Sequence, residues 1–190
     1  MSAGGFSISL DTKATRRDLA RLSGRNMEKA IASALNRTIR SVAAEGNRQI
    51  REELNLAAPA LRKRLKVGKA RTGDLTARFT VFAKPSPLTD FRGTRQTARG
   101  VSVKIKTKGA RKTIRGAFLV RFKSGRFTAV TRRTIGGKRV GRLPVDQLFS
   151  TSAVGALGKP RVLVALEAHA RKRYAIELAH EIKRLLPKGT

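Results

Sequence analysis

The sequence predicts an α+β fold with a long N-terminal amphipathic helix, an antiparallel β-sheet meander and a closing C-terminal helix. Three observations carry that reading. Apolar residues recur at helical spacing from Asn26 to about Leu54, change to a period of two after Gly68, and return to helical spacing over residues 161–186. Helices and strands are therefore segregated along the chain instead of alternating, which is the α+β pattern. No internal repeat, second apolar core or linker divides the 190 residues, so one domain is expected: residues 1–68 mainly helical, 76–150 a basic β region, and 161–186 the last helix.

The elements follow in order. FSISL places Phe6, Ile8 and Leu10 on one side of a short extended segment, and Asp11 or Thr12 can cap a helical stretch that runs to Leu22 and breaks at Ser23 and Gly24. In the long helix, Met27, Ile31, Leu35, Thr38, Val42, Ile50 and Leu54 form the inward stripe, and Arg37, Arg40, Glu45, Arg48, Arg51 and Glu52 form a solvated face of mixed sign. Pro59 suits the first turn of a short helix, PALRKRLKV, which Gly68 stops. Strands are expected near 76–83, 100–107, 116–122 and 126–133. Phe79 and Val81 share one face, as do Val101, Val103 and Ile105. Pro85, Pro87, Asp90 and Gly93 make residues 84–99 a long loop, a candidate for mobility or partner contact. Lys123, Ser124 and Gly125 join two strands as a hairpin, and Gly136 with Gly137 marks a further turn. In the last helix Leu163, Leu166, Ala170, Tyr174, Leu178, Ile182 and Leu185 recur every three or four residues, and Pro187 ends it.

Charge dominates the composition. Lys and Arg number 43 against 12 Asp and Glu, a formal net charge of +31. Residues 61–142 alone hold 25 basic and 2 acidic side chains. Such a field draws a polyanion: nucleic acid, an anionic membrane surface or an acidic protein. The alternating apolar residues within this block make it a folded sheet and not a basic tail. It also lacks the amphipathic helix with bulky apolar anchors that membrane-surface binding favours. No segment approaches the roughly 20 apolar residues of a membrane span, and the N-terminus lacks a charged lead before an apolar run. A soluble protein made in the cytoplasm is expected.

Catalytic chemistry finds little material. The absence of cysteine removes disulfides, thiolate metal sites and cysteine nucleophiles. His169 and His180 lie eleven residues apart on one helix, about 16 Å, too far for a shared metal or proton relay. Glu177 and Glu181, one turn apart near Arg173 and Arg184, read as helix-surface pairing. Asp74 and Asp90, the only carboxylates of the basic block, are a poor basis for a two-metal nuclease. IGGKRVG lacks the spacing of a phosphate loop and reads as a turn. Aromatics are sparse, and Phe79, Phe118, Phe122 and Phe127 are expected in the core, not as stacking platforms. No catalytic, cofactor or metal site is assigned, and no cofactor is expected.

The order of several pieces carries a resemblance: AIASALNRTIRSVAAEGNRQI from Ala30, LRKRLKV from Leu61, GAFLVRFKSGRF from Gly116, RLPVDQLF from Arg142, and the closing basic helix. Together they resemble the minor tail protein Z family of long-tailed bacteriophages, also described as tail completion proteins. The resemblance implies a non-enzymatic virion component at the head-proximal end of the tail, made in the host cytoplasm. It further implies a homo-oligomeric, hexameric ring whose partners are tail terminator, tail-tube and head–tail connector proteins, with duplex DNA bound non-specifically in its channel and no membrane. Six copies of the basic block would carry roughly 140 excess charges, whereas duplex DNA about 40 Å long presents about 25 phosphates, so most of the basic residues must meet something else. Lys104, Lys106, Lys108, Arg111, Lys112 and Arg115 are the candidates for the channel or polyanion-facing surface. The competing reading is a free, non-sequence-specific nucleic-acid-binding or packaging protein.

Overall fold

The computed structural model describes residues 5–6, 24–136, 138–139, 141 and 144–185. The expected helix from Asp11 to Leu22 lies outside the described residues. The chain forms two compact units: Met1–Gln49 with Leu65–Phe82 and Leu157–Thr190, and Ile50–Arg64 with Ala83–Ala156.

The first unit is built on two long helices, α1 (Gly24–Glu53, its last four residues belonging to the second unit) and α4 (Pro160–Leu185). Their apolar stripes meet: Ile31 and Ala34 of α1 cluster with Tyr174, Leu178 and Ile182 of α4, and Met27 and Leu35 pack at the margin. Burying side chains of this size stabilises by about 1.5–3 kcal/mol each, which holds the helices where propensity alone would not. A small antiparallel sheet completes the unit, in which β3 (Arg78–Val81) is flanked by β1 (Gly5–Phe6) and β2 (Leu65–Gly68). Leu65–Gly68 was expected to continue the short helix. Instead α2 stops after Ala58–Arg62, because Leu65 and Val67 pair with Val81 and Phe79. Gly46 lets the buried Phe79 ring reach the helix, since a Cβ there would stand 2.8 Å from the ring edge.

The second unit is antiparallel throughout. One sheet has the order β5 (Arg95–Thr97), β6 (Gly100–Val103), β7 (Lys112–Arg115); another has β12 (Val145–Gln147), β9 (Phe127–Arg132), β8 (Ala117–Arg121). Two-stranded pairs join β10 (Thr134–Ile135) to β11 (Lys138–Arg139), the turn expected there, and β4 (Ser86–Pro87) to β13 (Phe149–Ser150). A five-residue helix, α3, spans Ala153–Leu157. Residues 84–99, expected as a long loop, are largely built in: β4, a 3-10 turn at Leu88–Asp90 and β5 fall within them, and Ser86, Leu88 and Phe91 are buried. Backbone bonds explain this, with Leu88 N–H reaching the Leu148 carbonyl and Ala57 N–H reaching that of Asp90. Arg64, itself buried, donates to the Ala60 carbonyl and to the Asp90 carboxylate, both at 2.7 Å. Gly100 sits at φ +142 with its α-carbon against β7, where a Cβ would lie 2.0 Å from the Ile114 carbonyl oxygen.

Candidate polyanion-binding surface

The segment after β6 is fixed by the end of α1. A helix leaves its last carbonyls unpaired, and Thr107 supplies two donors: its N–H to Glu53 O at 2.9 Å and its hydroxyl to Arg51 O at 2.9 Å. Asn55 N–H donates to Ile105 O, and the Asn55 amide to Lys104 O. Lys104, Lys106 and Lys108 thus ride on a strapped segment, the first half-buried and the other two exposed.

The remaining three candidates sit at β7 and are exposed. Arg111 is held, its guanidinium donating to the Gly93 carbonyl and to Ser102 Oγ. Register pairs Lys112 with Val103 and Arg115 with Gly100, so alternation puts Lys112 and Arg115 on opposite faces of the strand. Arg95, opposite Ser102, shares the Arg115 face. The structure therefore brings all six candidates into one unit along one stretch, but not onto one face. Sequence reasoning missed Arg95, because residues 84–99 showed no strand period.

Electrostatics make this stretch unusual. From Phe91 to Pro144 there is no carboxylate, and the two that bracket it are already engaged. Asp90 meets Arg64 at 2.7 Å, and Asp146 meets Arg133 at 2.6 Å, whose hydrogen bond holds the Asp146 carboxyl below its ordinary range. None of the six candidates is ion-paired among the described residues.

Glu177 and Glu181, expected as surface pairing, are buried instead. Arg37 of α1 reaches both, at 3.5 and 3.0 Å, while Arg173 and Arg184 pair with them along α4 at 2.8 Å each. Burial raises the Glu181 carboxyl, but hydrogen bonds from Arg184 and Ser33 and the charges of Arg184 and Arg37 outweigh it, leaving it below the ordinary value. The histidines join the same helix interface: His180 lies 3.4 Å from Arg37, and His169 Nε2 lies 2.9 Å from the Ser41 hydroxyl. Among the described residues no group of three or more His, Asp or Glu is placed to hold a metal ion, and no helix is long and apolar enough to cross a membrane.

Two of the phenylalanines expected in the core are not there. Phe79 is buried, whereas Phe122 and Phe127 are 40% and 46% exposed at the β8–β9 hairpin.

Fold and charge together define a strongly basic α+β protein whose second unit carries a cluster of cations without ion-pair partners among the described residues. The chain belongs to the prophage minor tail protein Z (GPZ) family, whose model matches residues 12–188. It is accordingly a structural protein of the bacteriophage virion tail. Comparison with curated proteins and with solved structures gives no match.

Proposed function

We propose that this tail protein acts without catalysis as one ring of six copies at the head-proximal end of the tail. There it completes the tail, joins it to the head–tail connector and helps position the genome end. The observation that carries this reading is the carboxylate-free stretch from Phe91 to Pro144, in which Lys106, Lys108, Arg111, Lys112 and Arg115 are exposed while both bracketing carboxylates are engaged. Lys106, Lys108, Arg111 and Arg115 face DNA or approach it, and the surplus meets acidic surfaces of neighbouring tail-terminator, tail-tube or connector proteins. Contact with every cation would clamp a genome that has to slide, so only a fraction touches phosphate.

Charge reversal tests this. Lys106→Glu, Lys108→Glu and Arg115→Glu combined should leave the isolated protein folded and lower particle assembly or DNA delivery at least ten-fold. Unchanged delivery would refute the reading. Quantitative mass spectrometry of nuclease-treated, salt-washed particles supplies the second arm: a fixed copy number of one ring is expected. Loss in salt together with nucleic acid would favour the free polyanion binder.

A further inference from the structure

The tip of the β8–β9 hairpin interleaves cations with exposed rings: Arg121, Phe122, Lys123, Arg126 and Phe127. A tight turn fixes it, with Phe122 N–H donating to Arg126 O and Gly125 N–H to Phe122 O, both at 2.9 Å, and Gly125 at φ +78. Each ring has a guanidinium-bearing neighbour. Arg121 lies directly across from Phe127, its guanidinium carbon 5.5 Å from the ring centre, and Phe122 is bonded through its backbone to Arg126. Phe122 also walls a depression of about 300 Å³, with Val130 and Val145 apolar and Ser124, Arg126 and Gln147 polar. Gln147 is itself held, donating to Thr128 Oγ1 at 2.8 Å and accepting from Arg126, so the Arg126 guanidinium is anchored at the rim with further N–H donors to offer.

We infer that this depression and hairpin bind an unpaired nucleotide, so that the protein takes single-stranded nucleic acid as well as duplex. The ligand must join an anion to a flat apolar face at short spacing, which is how each nucleotide joins phosphate to base. In a duplex the base faces are stacked on one another and only phosphates are offered, so exposed rings would gain nothing there. Stacking on aromatic side chains beside cations is the general basis of single-strand binding. The inference goes beyond the tail-ring reading and does not need it, because duplex binding in the same assay reports the basic surface separately.

The test is anisotropy of a labelled 20-nucleotide single strand, the matching duplex and a mononucleotide on the full-length protein at about 0.2 M salt. Phe122→Ala should weaken single-strand binding about ten-fold, a loss typical of one stacked base, and leave duplex binding within two-fold. The mononucleotide should bind far more weakly than the strand. Phe122→Trp keeps an aromatic wall and, because the chain has no Trp, provides a single indole whose emission should be quenched by single strand and not by duplex. Equal losses for strand and duplex, or no quenching of a folded Phe122→Trp protein, would overturn the inference. So would unchanged strand binding by Phe122→Ala accompanied by defective particle assembly, since the hairpin would then be a protein contact.

Discussion

Arg37 ties together the two helices of the first unit, and removing it should be measurable. Its guanidinium stands 3.0 Å from Glu181 and 3.5 Å from Glu177, with Glu181 wholly buried and Arg37 41% exposed. Close, desolvated charge pairs couple by about 1.5–7 kcal/mol, but no hydrogen bond reaches the Glu181 oxygen that faces Arg37, the exposed end of Arg37 is screened, and each glutamate keeps a second arginine, Arg184 or Arg173. The lower end of the range follows, about 1.5 kcal/mol, or a drop in Tm of roughly 3–6 °C for a chain this long. Arg37→Met preserves the packing of the side-chain stem, and a double-mutant cycle with Glu181→Gln isolates the pair. The pH dependence has a definite sign. Because the folded Glu181 carboxyl is held below its ordinary value of 4.5, its stabilising contribution is full above that value and is lost as pH falls through the lower, folded value. Thermal unfolding followed by circular dichroism should therefore show the wild type losing more Tm than Glu181→Gln as pH falls below about 4.5. A Tm for Arg37→Met within one degree of wild type, or a coupling energy within the ~0.3–0.5 kcal/mol expected of independent sites, would refute the reasoning.

Three other substitutions probe close contacts. Gly100→Ala should destabilise the second unit by about 3 kcal/mol or more, read as a loss of urea-denaturation midpoint, because φ +142 is strained for alanine and the new Cβ meets the Ile114 carbonyl. Arg64→Ala should cost about 2 kcal/mol in the same assay by leaving the Asp90 carboxylate without its partner, with Asp90→Asn restoring part of the loss. Gly46→Ala would gain about 1 kcal/mol from helix propensity alone, yet the buried Phe79 ring 2.8 Å away should make the net change a lowered Tm. A raised Tm would show that the ring yields.

Much of the fold was legible because its signals are local and periodic. The stripe from Ile31 through Val42 to Leu54 is buried as its spacing requires, and four of the strands fall where alternation puts them. What was illegible had no period. Ser86–Pro87 is a two-residue strand, too short to alternate, and it is recruited by Phe149–Ser150 from more than sixty residues away. Leu65–Gly68 read as the end of the short helix, and only its pairing with β3 makes it a strand. The burial of Glu177 and Glu181 depends on Arg37, well over a hundred residues earlier, which helix-surface spacing on α4 could not reveal. Phe122 and Phe127 matched a strand pattern but lie at the hairpin end, where alternation no longer implies a covered face. For the candidate cations, sequence names only a run of twelve residues, 104–115. It could not say that Arg111 is bonded to Gly93 and Ser102, or that Lys112 and Arg115 point to opposite sides.

The disposition of the few carboxylates explains how so basic a chain holds its fold and still projects charge. Glu45, Asp90, Asp146, Glu177 and Glu181 all face arginines within the protein, and Arg48 with Gln49 draws Glu45 down to about 2. These five carboxylates are met at short range, and salt screens the buried Glu177 and Glu181 less than the exposed Asp146 pair. The six candidate cations of the second unit have no ion-pair partner among the described residues, and at physiological ionic strength their field acts over a Debye length of about 8 Å. Fold and surface should thus respond differently to salt: the paired arginines keep their geometry while the attraction of the free cations for a polyanion declines. Under the proposed function, that separation leaves the framework paired while the surface's attraction for a polyanion stays loose and sensitive to salt.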